Sequence, residues 1–242
     1  MIKAVLFDMG HTLTKHDFIH PEEVFQRILT SLGIYKSLDD VKKAFLNAEN
    51  EAKELDLFSS FGRMEREEYW VQWDALVLKH LGMVENAELA KIVQSKWDHF
   101  VDATLYPEVR DVLSELKTRG LKIGLISNAY EEEINACMKK AGLGTAAFDI
   151  VVGVDAIGNM KPHPDIFRYA ISKLNVRPEE AIFVGDSVEA DYRGAEKAGL
   201  HALLIDRKEN AIIGGNEKYA LLLQQGDLRT IKNLKEILSQ ID

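Results

Sequence analysis

Four short stretches of the chain set acids, a hydroxyl, an amide and an amine where aliphatic runs end or a helix begins. In VLFDMGHTLT (5–14), Val5, Leu6 and Phe7 are stopped by Asp8, and Gly10 follows, a residue type that adopts backbone conformations others resist. ISNA puts Ser127 and Asn128 behind a second run. MKPHPDIF puts Lys161 just ahead of a helix opened by Pro162 or Pro164, and VGDSVEAD puts Asp186 and Asp191 behind another run. Each has a plain structural explanation when taken singly: a Ser-Asn pair caps a helix, a lone lysine is solvated, and Asp191 caps YRGAEKAG. Their joint placement points to chemistry, because ligands of open α/β sheets gather at the carboxyl ends of the strands. If the runs ending at Asp8 and Asp186 are neighbours, the two carboxylates repel by about 4 kcal/mol at 4 Å and an effective dielectric near 20. Lys161 offsets part of that charge, and hard oxygen ligands with room for a backbone carbonyl and water suit Mg²⁺. Such an ion attracts an anionic substrate, whose phosphate oxygens Ser127, nearby amides and Lys161 would hold. The chemistry is phosphoryl transfer on a small phosphorylated molecule.

Positioning these groups takes a sheet. Aliphatic runs at KAVLFD (3–8), KIGLISN (122–128), FDIVVGV (148–154), EAIFVGDS (180–187) and HALLIDR (201–207) alternate with helical patterns. PEVRDVLSELKTRG is one, with Val109, Leu113 and Leu116 on one face and Gly120 as its stop. Strands separated in this way need right-handed crossovers, which predicts a doubly wound parallel α/β sheet. Residues from about 16 to 104 lack comparable strands. HPEEVFQRILTSLG, LDDVKKAFLNAENEAKELDLF, EREEYWVQWDALVLKHLG and NAELAKIVQSKWDHFVD all carry apolar residues at helical spacing. We expect a helical insert, with Trp70, Trp73 and Trp97 in its core, acting as a lid over the strand ends and turning about linkers near 14–20 and 101–107.

Composition sets the bounds. At 242 residues and 46% hydrophobic, the chain can fill one or two cores, and a net charge of -9 argues against a nucleic-acid partner. The single cysteine, Cys137 in EEEINACMKKAGL, excludes an intrachain disulfide and reads as a buried, inert thiol. The first strand starts too early for a signal peptide, and no apolar run nears the roughly 18 residues of a membrane span. The expectation is a soluble, cytoplasmic protein without a membrane partner. Oligomeric state is left open, as is the part played by ENAIIGGNEKYALLLQQGD (209–227).

The four stretches, in their order, resemble the motifs of the haloacid dehalogenase (HAD) superfamily, in the branch with a helical cap inserted after the first motif. FDMGHTLT resembles the first motif, ISN the second, the lysine of KPHPDIF the third and GDSVEAD the fourth. The resemblance implies a Rossmann-like core over 1–15 and 105–242, and a cap over 16–104. It implies that Asp8 is the nucleophile, forming an aspartyl phosphate that water hydrolyses. Asp8, the carbonyl of Gly10 and Asp186 would bind Mg²⁺, Ser127 and Lys161 would bind the phosphoryl group, and Asp191 and Thr12 would support them. Asn128 and the loop residue Arg63 (in DLFSSFGRMERE, 56–67) are further candidates for contact with substrate.

The sequence departs from the family at residue 10, where the hydrolases carry a second aspartate that serves as general acid; glycine stands here, and His11 stands where glycine is usual. His11 titrates near neutrality and is the candidate replacement. Three readings follow: a Mg²⁺-dependent phosphatase, a C–X bond hydrolase of the dehalogenase or phosphonatase kind, and a catalytically weak phosphate- and metal-binding regulator. The acidic fourth motif speaks against the dehalogenase. No lysine of the insert stands in an obviously apolar setting, as a phosphonatase would need.

Overall fold

The computed structural model describes residues 1–16, 20–83, 87–207 and 228–241. It divides into two compact units, Met1–Lys15 with Ala103–Asp242, and His16–Asp102. In chain order the strands and helices are β1 (Ala4–Phe7), β2 (Thr14–His16), α1 (Pro21–Ser31), α2 (Leu38–Glu54), α3 (Arg66–His80), α4 (Ala87–Phe100), β3 (Ala103–Leu105) and α5 (Val109–Thr118). There follow β4 (Lys122–Ile126), α6 (Glu131–Lys140), β5 (Ile150–Val152), α7 (Pro164–Leu174), β6 (Ala181–Gly185), α8 (Gly194–Ala198), β7 (His201–Ile205) and β8 (Thr230–Ile231).

The larger unit is built on a six-stranded sheet of order β5-β4-β1-β6-β7-β8, parallel throughout. This is the expected doubly wound α/β architecture. β1 lies at its centre with all four residues buried, because helices cover both faces. Val5 and Phe7 join one core with α5, Leu6 joins another with α7, and the strand thereby serves both layers. Its register pairs Phe7 with Leu125 on one side and with Val184 on the other. The next residue of each strand continues that row, so Asp8 emerges between Ile126-Ser127 and Gly185-Asp186. The helices end where the sequence says they must: α7 has Pro at its first position, and Gly120 beyond α5 takes a left-handed φ of 76°.

The helical unit packs α1 to α4 around Phe25, Ile28, Leu29, Val41, Phe45, Val77 and Val93. Trp73 and Trp97 pack against this core, with Phe45 5.8 Å from Trp73 and Phe25 6.2 Å from Trp97, centroid to centroid. Trp70 meets Phe61 at 5.8 Å.

Two features lack a signal in the sequence. β2 and β3 form a separate two-stranded sheet, and β8 extends the main sheet beyond β7. Strands of two or three residues are too short to carry a periodicity. The stretch 209–227 lies outside the described residues. Among the described residues, no helix is long and apolar enough to cross a membrane.

Candidate active site

The site forms where β1, β4 and β6 end side by side. Asp8, Asp186 and Asp191 each bring a carboxylate oxygen into a group spanning no more than 4.8 Å. Asp8 is fixed by its own backbone, its N–H donating to the carbonyl of Val184 at 2.9 Å. Asp191 comes from a single π-helical turn, Val188–Arg193, capped by the Ser187 hydroxyl, which accepts from the Ala190 N–H. π-turns of this kind favour functional positions, because the extra residue redirects a side chain. Gly185 makes the approach feasible: a Cβ there would lie 2.3 Å from Cγ of Asp191. Glycine before the acid is therefore a packing requirement as much as a turn preference.

Lys161 ties Asp8 to Asp191. Its Nζ donates to Oδ1 of Asp8 and to Oδ1 of Asp191, both at 2.6 Å, and lies 5.3 Å from the Phe183 ring centroid. Burial disfavours the ammonium, yet Asp191 and Asp8 outweigh it and hold the lysine pKa above its ordinary range. Burial, with Asp8 adding to it, leaves the Asp191 carboxyl above its ordinary range although Lys161 opposes the shift, and the second oxygen accepts from the Ser187 N–H at 2.9 Å. With both oxygens bonded, Asp191 is a supported carboxylate. At Asp186 burial, then Asp8 and Asp191, push the carboxyl up to about 8, with Lys161 and a backbone N–H opposing them less strongly. Three clustered acids against one ammonium, the third held near 8 by its neighbours, make a site where a hard divalent cation fits and would displace the proton of Asp186.

Ser127 is buried beside Asp8, its N–H donating to the Val152 carbonyl at 3.1 Å. Asn128 is committed elsewhere. Its Oδ1 accepts from the Lys161 N–H at 2.7 Å and its Nδ2 donates to the Lys161 carbonyl at 2.9 Å, so the amide braces the backbone of the lysine. Neither residue caps α6, whose N-cap is Tyr130, nor does Asp191 cap α8.

The turn after Asp8 corrects one expectation. The left-handed conformation falls on His11, with φ 54°, and not on Gly10. His11 donates its N–H to Thr14 while Leu13 and Thr14 donate theirs to Met9, and this closed turn leaves residue 11 no extended alternative. A left-handed non-glycine residue costs on the order of 1 kcal/mol. Its imidazole is half-buried, and burial lowers its pKa, so it is neutral near pH 7. Thr12 is fully buried, and its hydroxyl has no hydrogen-bond partner among the described residues. Arg63 belongs to the helical unit, exposed just beyond a short 3₁₀ turn, Leu57–Ser60. Cys137 is half-buried, and burial pushes its thiol up to about 11, too high for a nucleophile at neutral pH.

Sequence reasoning missed Arg207 and Glu108, a buried pair whose guanidinium reaches the turn after Asp8. The charged ending of HALLIDR was the available signal.

The pattern of haloacid dehalogenase-like hydrolases matches residues 2–199, and the chain belongs to that family. A glyceraldehyde 3-phosphate phosphatase of Methanopyrus kandleri is 28% identical over 86% of this chain and 85% of its own length. An (S)-2-haloacid dehalogenase of a Pseudomonas species is 27% identical over 68% of each chain. Among solved structures, a HAD phosphatase from Thermococcus onnurineus is 27% identical, with a TM-score of 0.55, over 86% of this chain and 88% of that one.

Proposed function

We propose that this protein is a Mg²⁺-dependent phosphohydrolase acting on small phosphorylated metabolites. The observation that carries the proposal is the group of three acids, two of them bridged by Lys161, that is still negative in sum. The phosphatases among its relatives agree with that reading. Asp8, Asp186 and the carbonyl of Gly10 would hold the metal, which when bound neutralises charge on the phosphoryl oxygens. Asp8 attacks phosphorus through its carboxylate oxygen, the bond to the leaving oxygen breaks, and water then hydrolyses the aspartyl phosphate. Lys161 and Ser127 hold phosphoryl oxygens, Asn128 braces Lys161, and Asp191 keeps the ammonium in place. The helical unit, with Arg63, would select the substrate. Turnover that disappears in Asp8→Asn and in excess EDTA is the expected result; full activity in EDTA would sink the proposal.

Residue 10 brings no carboxyl, and the neutral, half-buried His11 is a weak substitute as an acid. General acid catalysis contributes about 10²- to 10⁴-fold. Aryl and acyl phosphates, whose leaving groups are stable as anions, should therefore outrun alkyl phosphates, and Gly10→Asp should help alkyl phosphates most. Because the left-handed φ belongs to His11, an aspartate at residue 10 meets no left-handed backbone. A shallow leaving-group dependence that survives His11→Ala would place the acid elsewhere.

The glycine at residue 10 and the dehalogenase relative favour a second reading, C–X bond hydrolysis. Phosphate release from p-nitrophenyl phosphate measured beside chloride release from a 2-haloacid separates the two.

A further inference from the structure

Arg207 stands two residues beyond β7 and is only 9% exposed, yet nothing in the proposed chemistry uses it. Its guanidinium makes three contacts at once. Nη2 donates to the Thr12 carbonyl at 2.7 Å, Nη1 donates to Oε1 of Glu108 at 2.8 Å, and the plane lies 3.4 Å from the Tyr106 ring centroid. Tyr106 is tied to the same turn, its N–H donating to the Leu13 carbonyl at 3.0 Å. Glu108 is itself buried, 6% exposed, so the pair is one whose geometry the interior enforces. Nε of Arg207 and the hydroxyl of Thr12 make no hydrogen bond among the described residues, which leaves the two ends of the guanidinium fork as the polar ties.

The place where this clamp grips matters. Thr12 directly follows His11, the left-handed residue of the closed turn that also holds Gly10 and that Asp8 leads into. Strained backbone persists where surrounding contacts over-determine it, and a clamp on the adjoining carbonyl supplies such a constraint. Only arginine offers two parallel donors and a flat face together; a lysine ammonium reaches one acceptor and cannot stack.

We propose that Arg207 is a positioning residue: its guanidinium, held by Glu108 and Tyr106, grips the Thr12 carbonyl and keeps the turn 9–14 in the shape that sets Gly10 and His11 beside Asp8. The consequence for catalysis rests on the phosphohydrolase reading; the consequence for the turn does not.

The test compares Arg207→Lys with Leu174→Ala, a truncation in the opposite core layer chosen to lower thermal stability without touching the turn. Amide hydrogen exchange at Leu13 and Thr14 and steady-state kinetics on p-nitrophenyl phosphate are read on both at equal distance below their melting temperatures. Arg207→Lys should speed exchange at these amides about 10-fold and lower kcat about 10-fold with KM within 3-fold, while Leu174→Ala changes neither by more than 2-fold. Tyr106→Leu removes the stacking face, leaves both donors, and should show the same pattern at about 3-fold, which keeps the test alive if Arg207→Lys does not fold. Exchange and kcat in the Arg207 and Tyr106 variants equal to those of Leu174→Ala would overturn the proposal, as would faster exchange with unchanged kcat. A wild-type protein that hydrolyses no phosphate ester would refute the phosphohydrolase reading instead, and the exchange data alone would then decide whether Arg207 holds the turn.

Discussion

Asp191 in the α/β unit and Asp74 in the helical unit are both buried, 2% and 0% exposed, and burial pushes both carboxyls upward, but they meet different partners. Asp191 has an ammonium at 2.6 Å and a backbone N–H at 2.9 Å. Asp74 has the Trp97 indole N–H at 3.2 Å on one oxygen, and no hydrogen-bond partner among the described residues on the other. Burial pushes Asp74 well above the ordinary carboxylic range, and one neutral donor does too little to stop it. Burial among the helices thus favours its neutral form. Among the described residues of the α/β unit, buried charge is met by a second charge, at the strand ends and again at the Arg207–Glu108 pair.

Removing the countercharge breaks the comparison most severely. Lys161→Met leaves Asp8, Asp186 and Asp191 buried together without their cation, and turnover should fall by about 10³-fold or more. In metal-free buffer the variant should lose about 3–5 kcal/mol of stability by denaturant titration, the usual penalty for halving a buried pair. Stability equal to wild type would mean that the acids hold each other's protons and the lysine is dispensable.

The next largest effect concerns Asp186, the acid that Lys161 does not reach. Its pKa near 8 means that metal must displace a proton below that pH. Mg²⁺ affinity measured by calorimetry should rise about tenfold per pH unit from pH 6 to 8 and then level off. The folded pKa is raised, so the metal-free protein binds a proton that the unfolded chain releases, and its stability falls as pH climbs toward 8. Equal Mg²⁺ affinity at pH 6 and 8 would show Asp186 already ionised.

Asp74→Asn sharpens the contrast at the low end. The raised folded pKa favours the wild-type helical unit in acid and costs it stability as pH rises above the unfolded value, by at most about 1.4 kcal/mol per pH unit. The asparagine carries no titrating proton, so this part of the pH slope of the melting temperature should vanish, with the two proteins converging near pH 4. An unchanged slope would mean that Asp74 finds a partner in solution.

Much of this was written in the sequence, for a physical reason. The strands of the main sheet that carry the site are buried on both faces and so read as unbroken aliphatic runs, and the polar residues that close those runs mark the edge where ligands bind. What stayed hidden depends on tertiary contact. That Asn128 braces Lys161 follows from two segments meeting, and no local pattern records it. The left-handed residue fell on His11 because the hydrogen bonds of the closed turn, more than glycine's freedom, decide which residue bends. Asp74 did leave a trace: it occupies a slot between Trp70, Val77 and Leu78 on the apolar face of α3, where an aspartate is out of place.

The pairing of β1 has a consequence for how the chain is made. β1 leaves the ribosome well before its two partners, which begin at Lys122 and Ala181. The helical unit, whose core draws only on residues between Val24 and Val101, emerges complete in the interval and can fold from nearby contacts. The nascent protein thus carries a finished helical body on an unpaired, fully apolar strand, the kind of edge that invites wrong partners. Lys3 and Asp8 bracket that strand with opposite charges. Asp8, the proposed nucleophile, thus also closes that apolar run with a charge, the placement of a gatekeeper residue.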